Sequence, residues 1–227
     1  MIALRPIIIF AGLICVWQAI VWLSGAPPFI LPSPVRVGEA LANRFDVILP
    51  HAAVTLSEIL MGLVLGTILG SVSAMTMAYF APARRWLFPV LVISQAVPVF
   101  ALAPILVLWL GYGILSKVAM ATLIIYFPVT AAFFDGLRRT EPGYLDLAQT
   151  MNASRWAMLR QIRLPAALPA FASGLRVATA VAPIGAIVGE WVGSSQGLGF
   201  LMLHANGRMQ IDVMFAALFV LAIIAVT

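Results

Sequence analysis

Residues 144–169 read YLDLAQTMNASRWAMLRQIRLPAALP, a polar and basic excursion between two long apolar segments. Asp146, Arg155, Arg160 and Arg163 carry its charge, and apolar residues recur at Leu145, Ala148, Met151, Trp156, Leu159 and Ile162. The recurrence has the period of an amphipathic helix with one greasy face. Asn152-Ala153-Ser154 interrupts it. Asn tolerates a left-handed turn and Ser is a strong N-cap, so the stretch predicts a helix, a sharp turn and a second helix that ends at Leu164-Pro165. One acid and several arginines on an apolar ridge suit docking against a partner rather than bond-breaking.

The remaining residue types point away from catalysis. Lys117, the chain's one lysine, stands in Leu115-Ser116-Lys117-Val118 and not in the glycine-rich G-K-[ST] turn that cradles phosphates, so this chain is not itself an ATPase. No serine nucleophile elbow is present, and no paired carboxylates fall in one predicted cleft. His51 and His204 are far apart and lack Cys or His neighbours, so no metal-ligand spacing exists. Cys15 is single and lies in an apolar run, which excludes an internal disulfide. The expectation is no catalytic, metal-binding or cofactor-binding residue in the chain.

Composition fixes the class. At 63% hydrophobic and 9% charged over 227 residues, a water-soluble globule is excluded. The net charge of +5 is assigned to arginines that hold loops on one side of a membrane, not to nucleic acid. An all-α integral membrane protein of about six spans follows, and the lipid bilayer is its solvent.

The elements follow from apolar runs and breakers. Residues 6–23 form a first span. Residues 24–51 are proline-rich, with a short amphipathic helix over 35–45 opened by Ser33-Pro34. Residues 52–80 form a second span with Gly62, Gly66 and Gly70 on one face, a flat strip suited to close helix contact. Glu58, near its start, is expected at the interface. A third span, 87–110, is broken by Pro89, Pro98 and Pro104 and carries Gln95. Gln95 reads either as a pathway residue or as an interhelical hydrogen bond, and Pro98 as one of the prolines that bend a helix around a pathway. Residues 111–117 form a turn, 118–134 a fourth span and 170–192 a fifth. Arg176 and Glu190, near the ends of the fifth span, are expected to snorkel to the interface, although Glu190 also suits a translocation route. Residues 193–212 read as a loop with a short helix around Gly197-Leu198-Gly199. A sixth span begins at Val213 and stops without a polar flank, so it reads as truncated. With the N-terminus inside, cytoplasmic segments hold Arg5, Arg84, Arg85, Arg138, Arg139, Arg155, Arg160 and Arg163, while outer segments hold Arg36, Arg44, Lys117 and Arg208. The bias favours this topology.

The 144–169 stretch resembles the cytoplasmic loop of ABC importer permeases, whose pattern is E-A-A, three residues, G, nine residues, I, one residue, L-P. Asp146-Leu147-Ala148 stands at E-A-A, Asn152 at the glycine, Ile162 at the isoleucine and Leu164-Pro165 at L-P. The P-F-I-L-P-S-P run at 28–34 is similar to the entry segment of the sulfonate, nitrate and taurine branch, which includes permeases for thiamine-precursor pyrimidines. The resemblance implies a type I permease fold, with residues 1–51 as first span and entry segment and 52–227 as the transmembrane domain. It implies ATPase coupling through Asp146, Ala148, Asn152, Ser154, Arg155, Arg160, Ile162, Leu164 and Pro165, and a translocation pathway near Gln95, Pro98 and Glu190. The implied partners are a cytoplasmic ATPase pair that binds ATP and Mg, a second permease copy, and an external solute-binding protein in a bacterial inner membrane. An ion-coupled secondary transporter is the alternative; it is weakened by the scarcity of mid-span acids.

Overall fold

The computed structural model describes residues 4–226, with side chains from residue 8. Residues 1–3 and the Arg5 side chain, part of the expected basic start, and the C-terminal Thr227 lie outside the described residues. The described chain is helical: α1 Leu4–Ser24, α2 Pro34–Asn43, α3 Phe45–Tyr79, α4 Ala81–Ser94, α5 Val99–Leu110, α6 Ile114–Arg138, α7 Pro142–Thr150, α8 Arg155–Met158, a π-helical turn Leu159–Arg163, α9 Leu164–Gly193, α10 Leu198–Gly207 and α11 Ile211–Val226. Three continuous helical stretches are long and apolar enough to cross a bilayer: Phe45–Tyr79, Ile114–Arg138 and Arg155–Gly193. Helices α4 and α5 form a bent pair, and α1 and α11 supply shorter apolar segments.

The chain divides into two compact units. The first joins Met1–Thr55 to Ser195–Thr227. Its apolar helices α1 and α11 meet through Trp17 stacked on Phe215, with ring centroids 5.6 Å apart, and Phe10 against Phe219 at 6.1 Å. The amphipathic α2 forms but ends at Asn43 rather than 45, leaving Phe45 to start α3; Ser33 caps it by accepting from the Arg36 N–H at 3.4 Å, and Val37 and Ala40 are buried. The G-L-G run starts α10, and its exposed N–H groups are satisfied from α3. His51 Nδ1 accepts from Gly197 N–H at 2.9 Å, and Thr55 Oγ1 accepts from Leu198 N–H at 2.8 Å. Gly197 holds φ +108, a conformation glycine adopts without a Cβ clash. Phe200 lies against both His51 and His204, so the fold gathers two histidines that are remote in sequence around one ring.

The second unit is Leu56–Ser194. Its centre is α6, held between two glycine-bearing helices. A Cβ on Gly62 of α3 would lie 2.5 Å from the Ala121 Cβ, and one on Gly66 would lie 2.6 Å from the Ile125 Cγ2. From α9, a Cβ on Gly185 would lie 2.7 Å from the Ala121 Cα. Each distance is shorter than real carbon contacts allow, so these glycines set how closely the backbones approach. Towards the other end of α6, an apolar core gathers Ala74, Met77, Leu91, Phe133, Phe134, Leu137, Leu159 and Ala167. Phe134 packs on Phe88 at 5.6 Å and lies under the Arg138 guanidinium at 5.5 Å. The Tyr126 hydroxyl and Ser73 hydroxyl add a 2.9 Å hydrogen bond between α6 and α3.

Several expected boundaries move. The second span begins at Phe45, not Ala52, and passes through Pro50; burial of Ile48, Ala52 and Thr55 on one face holds this extra stretch. Lys117 belongs to α6 rather than to a turn. The third span is not one helix: α4 and α5 meet at 104°. The break falls at Pro98, the N-cap of α5, while Pro89 and Pro104 stay within helices. Leu164-Pro165 does not end a helix either. The π turn continues straight into α9, and Pro165 occupies its first turn, where a missing N–H is tolerated.

The anchoring of α10 is testable. Asn places an acceptor close to where His presents Nδ1, whereas Ala offers none. His51→Ala is expected to cost about 1 kcal/mol and to speed amide exchange at Gly197, with His51→Asn close to wild type. Equal exchange in all three proteins contradicts the cap.

Candidate coupling surface and buried polar cluster

The 144–169 stretch folds as helix, turn and helix. Helix α7 closes in a full Schellman motif: Ala153 N–H donates to Ala148 O at 2.9 Å, and Asn152 N–H to Gln149 O at 2.9 Å. Asn152 takes φ +55, the left-handed conformation for which Asn is the usual substitute for Gly. Ser154 then caps α8 by accepting from the Ala157 N–H at 3.2 Å. The π turn that follows rotates the helix face before α9 begins.

The apolar positions of this stretch do not share one face. Ala148 is 6% exposed and Leu159 is 5%, and Leu159 belongs to the core that joins α3, α4, α6 and α9. Leu164 packs against the same core. Tyr144, Leu147 and Met151 instead form an outward ridge on α7, and they are 59%, 58% and 74% exposed. Their spacing of three and four residues aligns them on one helix face. Trp156 also faces outward and touches Tyr79 edge-on at 6.2 Å. A groove of about 360 Å³ runs beside the ridge, lined by Ala148, Gln161, Ile162 and Ala166 together with the ridge residues. A second groove of about 260 Å³ is bordered by Tyr79, Gln149, Arg155 and Arg163. Asp146, Arg155, Arg160 and Pro165 are exposed. The expected loop residues are thus brought together, and the outward-facing Tyr144 and Leu147 fall outside the residues singled out in sequence. An i, i+3, i+7 check on α7 alone finds them.

The pathway candidates separate. Gln95 ends α4 and Pro98 starts α5, both exposed at the 104° elbow. Glu190 lies elsewhere, 1% exposed on α9, so it does not snorkel; Arg176 is exposed. Glu58 is 0% exposed, enclosed by protein, and Lys117 is 5% exposed. The Lys117 Nζ stands 3.9 Å from Glu58 Oε1 and donates to the Tyr112 carbonyl at 3.4 Å. The Glu58 and Glu190 side chains are near enough to interact electrostatically. Two buried acids thus interact inside the protein, whereas the sequence predicted no paired carboxylates in one cleft. They lie on α3 and α9, 132 positions apart, and no local motif signals them. Among the described residues, no group of three or more His, Cys, Asp or Glu is placed to hold a metal.

Comparison with known proteins gives this arrangement its context. Residues 62–227 match the family described as "Binding-protein-dependent transport system inner membrane component". A probable ABC transporter permease protein of Haemophilus influenzae is 55% identical over 98% of this chain and 91% of its own length. The riboflavin transport system permease protein RibX of Chloroflexus aurantiacus is 39% identical over 95% of this chain and 81% of its own. The formylaminopyrimidine transport permease protein ThiX of Halalkalibacterium halodurans is 36% identical over 99% of this chain and 90% of its own. More distant relatives include permeases named for aliphatic sulfonates and taurine. The helical membrane fold, the coupling-type loop between α6 and α9 and these matches together identify the chain as a member of the ABC importer permease family, a multi-pass membrane subunit that moves solute in an ATP-driven importer.

Proposed function

We propose that this permease carries a planar nitrogen heterocycle of the pyrimidine type across a bacterial inner membrane. Two of the nearer relatives bear the names of such solutes, and they are more similar to this chain than the taurine permease at 31%. The N-terminus lies inside, as the distribution of arginines favours. Two copies of the chain form one pathway, and an external binding protein delivers the solute. Gln95 and Pro98 line that pathway at the α4–α5 elbow. ATP and Mg are bound by a separate ATPase pair, and this chain contributes no chemical step. Family membership replaces the ion-coupled alternative.

The observation that carries the coupling role is the exposed ridge of Tyr144, Leu147 and Met151 backed by buried Leu159. A solvent-facing apolar ridge calls for a partner groove. Leu159 roots that ridge in the junction of α3, α4, α6 and α9, so a push on α7 moves helices and not a loose loop. Closure of the ATPase pair on ATP then biases the spans between inward-open and outward-open states through differential contact. Asp146, Arg155 and Arg160 supply the polar rim of this contact. Asn152 and Ser154 hold its turn, and Ile162, Leu164 and Pro165 connect it to α9.

Two outcomes test this function. In vesicles holding the permease with its ATPase and binding protein, Leu147→Glu is expected to reduce solute-stimulated ATP hydrolysis and uptake at least tenfold, equivalent to about 1.4 kcal/mol or more of lost coupling, with membrane insertion unchanged. Stimulation at the wild-type level contradicts the docking role. In the same vesicles, radiolabelled formylaminopyrimidine is expected to enter at least roughly tenfold faster than taurine, since a site built for one polar pattern rejects another. Faster entry of taurine overturns the heterocycle assignment.

A further inference from the structure

Coupling through the α7 ridge does not account for the groove between the end of α3 and the π turn. Its volume is about 260 Å³, and Tyr79, Gln149, Arg155 and Arg163 border it. Among the described residues, no Asp or Glu lines it, and neither arginine forms an ion pair. The Nε of Arg163 is buried and meets no acceptor. A buried guanidinium N–H left unmatched is costly, and two cations on one groove repel. An anion with several acceptor oxygens answers both, since each arginine offers it a fork of donors.

The surroundings of the groove select the anion. Tyr79 touches Phe80 edge-on at 4.7 Å and Trp156 at 6.2 Å, and all three rings are exposed. Exposed Tyr and Trp mark the headgroup level of a bilayer. From Tyr79 an outward apolar stripe runs back along α3 through Val72, Leu69 and Leu65. Thr76 stands within the stripe, and its hydroxyl donates to the Val72 carbonyl at 2.7 Å, so its polar group is satisfied on its own helix. Leu69 to Tyr79 spans about 15 Å at the helical rise, half of the roughly 30 Å hydrocarbon core and so the depth of one leaflet. An arginine groove at the end of such a stripe fits a molecule with an anionic head and an acyl tail. A free phosphate or a carboxylate of a protein partner would use the groove alone. We propose that this groove seats the phosphate of an anionic phospholipid, whose acyl chain lies along the outward stripe of α3. The site rests on the membrane placement of the family fold and is independent of ATPase docking.

Native mass spectrometry of the full chain, released from nanodiscs holding equal amounts of dioleoylphosphatidylglycerol and dioleoylphosphatidylcholine, reads the bound lipid by its mass. The permease alone is used, so the outcome does not depend on the coupling role. Wild type is expected to retain phosphatidylglycerol over phosphatidylcholine by at least about fivefold, the factor that one basic residue near a membrane surface contributes. Arg163→Gln is expected to lower this ratio about fivefold. Arg139→Gln removes an equal charge from an exposed position outside the groove and is expected to leave the ratio unchanged. Glycerol phosphate at the concentration of the lipid is expected not to displace it, and assembly with the ATPase is expected to leave it bound. A wild-type ratio near one, equal falls in the two variants, displacement by glycerol phosphate, or loss of the lipid on ATPase assembly overturns the assignment. If Arg163→Gln fails to insert, Arg155→Gln carries the same expectation.

Discussion

The architecture of the larger unit depends on how closely two backbones approach α6. Helices in lipid gain little from burying apolar surface against each other, so association rests on packing and on backbone proximity. Ala121 stands between Gly62 of α3 on one side and Gly185 of α9 on the other, and neither glycine has room for a methyl group. This double contact places the three helices that also carry the buried charges and, at the other end of α6, the apolar core. Loosening it by even one carbon separates groups that must stay paired.

From that fixed centre the chain extends two less regular features. The α4–α5 elbow at Pro98 leaves non-helical backbone where a continuous span would have none, which membrane proteins tolerate beside protein or water and not against lipid. The π turn at Leu159–Arg163 inserts a wider turn between the surface ridge and α9. Upstream of it, the turn at Asn152 separates α7 from α8, so Leu159 points into the core while Leu147 and Met151 point out. The irregularity therefore fits a loop that must meet a partner on one side and its own helices on the other.

Much of this was legible in the sequence because the signals are local. The glycine strip Gly62, Gly66 and Gly70 marks a close-packing face at helical spacing, and that face meets α6. Asn152 and Ser154 carry their turn and cap in their own side-chain chemistry. Non-local features were hidden. Nothing near Glu58 announces Glu190 or Lys117, and an acid near a span end looks like one that reaches for water. Proline was ambiguous for a different reason. Pro98 breaks a helix and Pro165 starts one, and the outcome depends on whether the freed carbonyl of the preceding turn finds another arrangement. His51 likewise reveals its role only through Gly197, at the far end of the chain.

The central claim is that α3 and α9 touch α6 in two chemically different ways, and a rescue cycle separates them. Gly62 opposes the Ala121 side chain, whereas Gly185 opposes its Cα. The melting temperature of the assembled transporter should fall in both Gly62→Ala and Gly185→Ala, by an overpacking cost of about 1–3 kcal/mol, although helix propensity alone favours Ala by up to about 1 kcal/mol. Adding Ala121→Gly should restore Gly62→Ala and leave Gly185→Ala impaired. Single variants as stable as the parent, or rescue of both alike, would contradict the packing on which the rest of the structure rests.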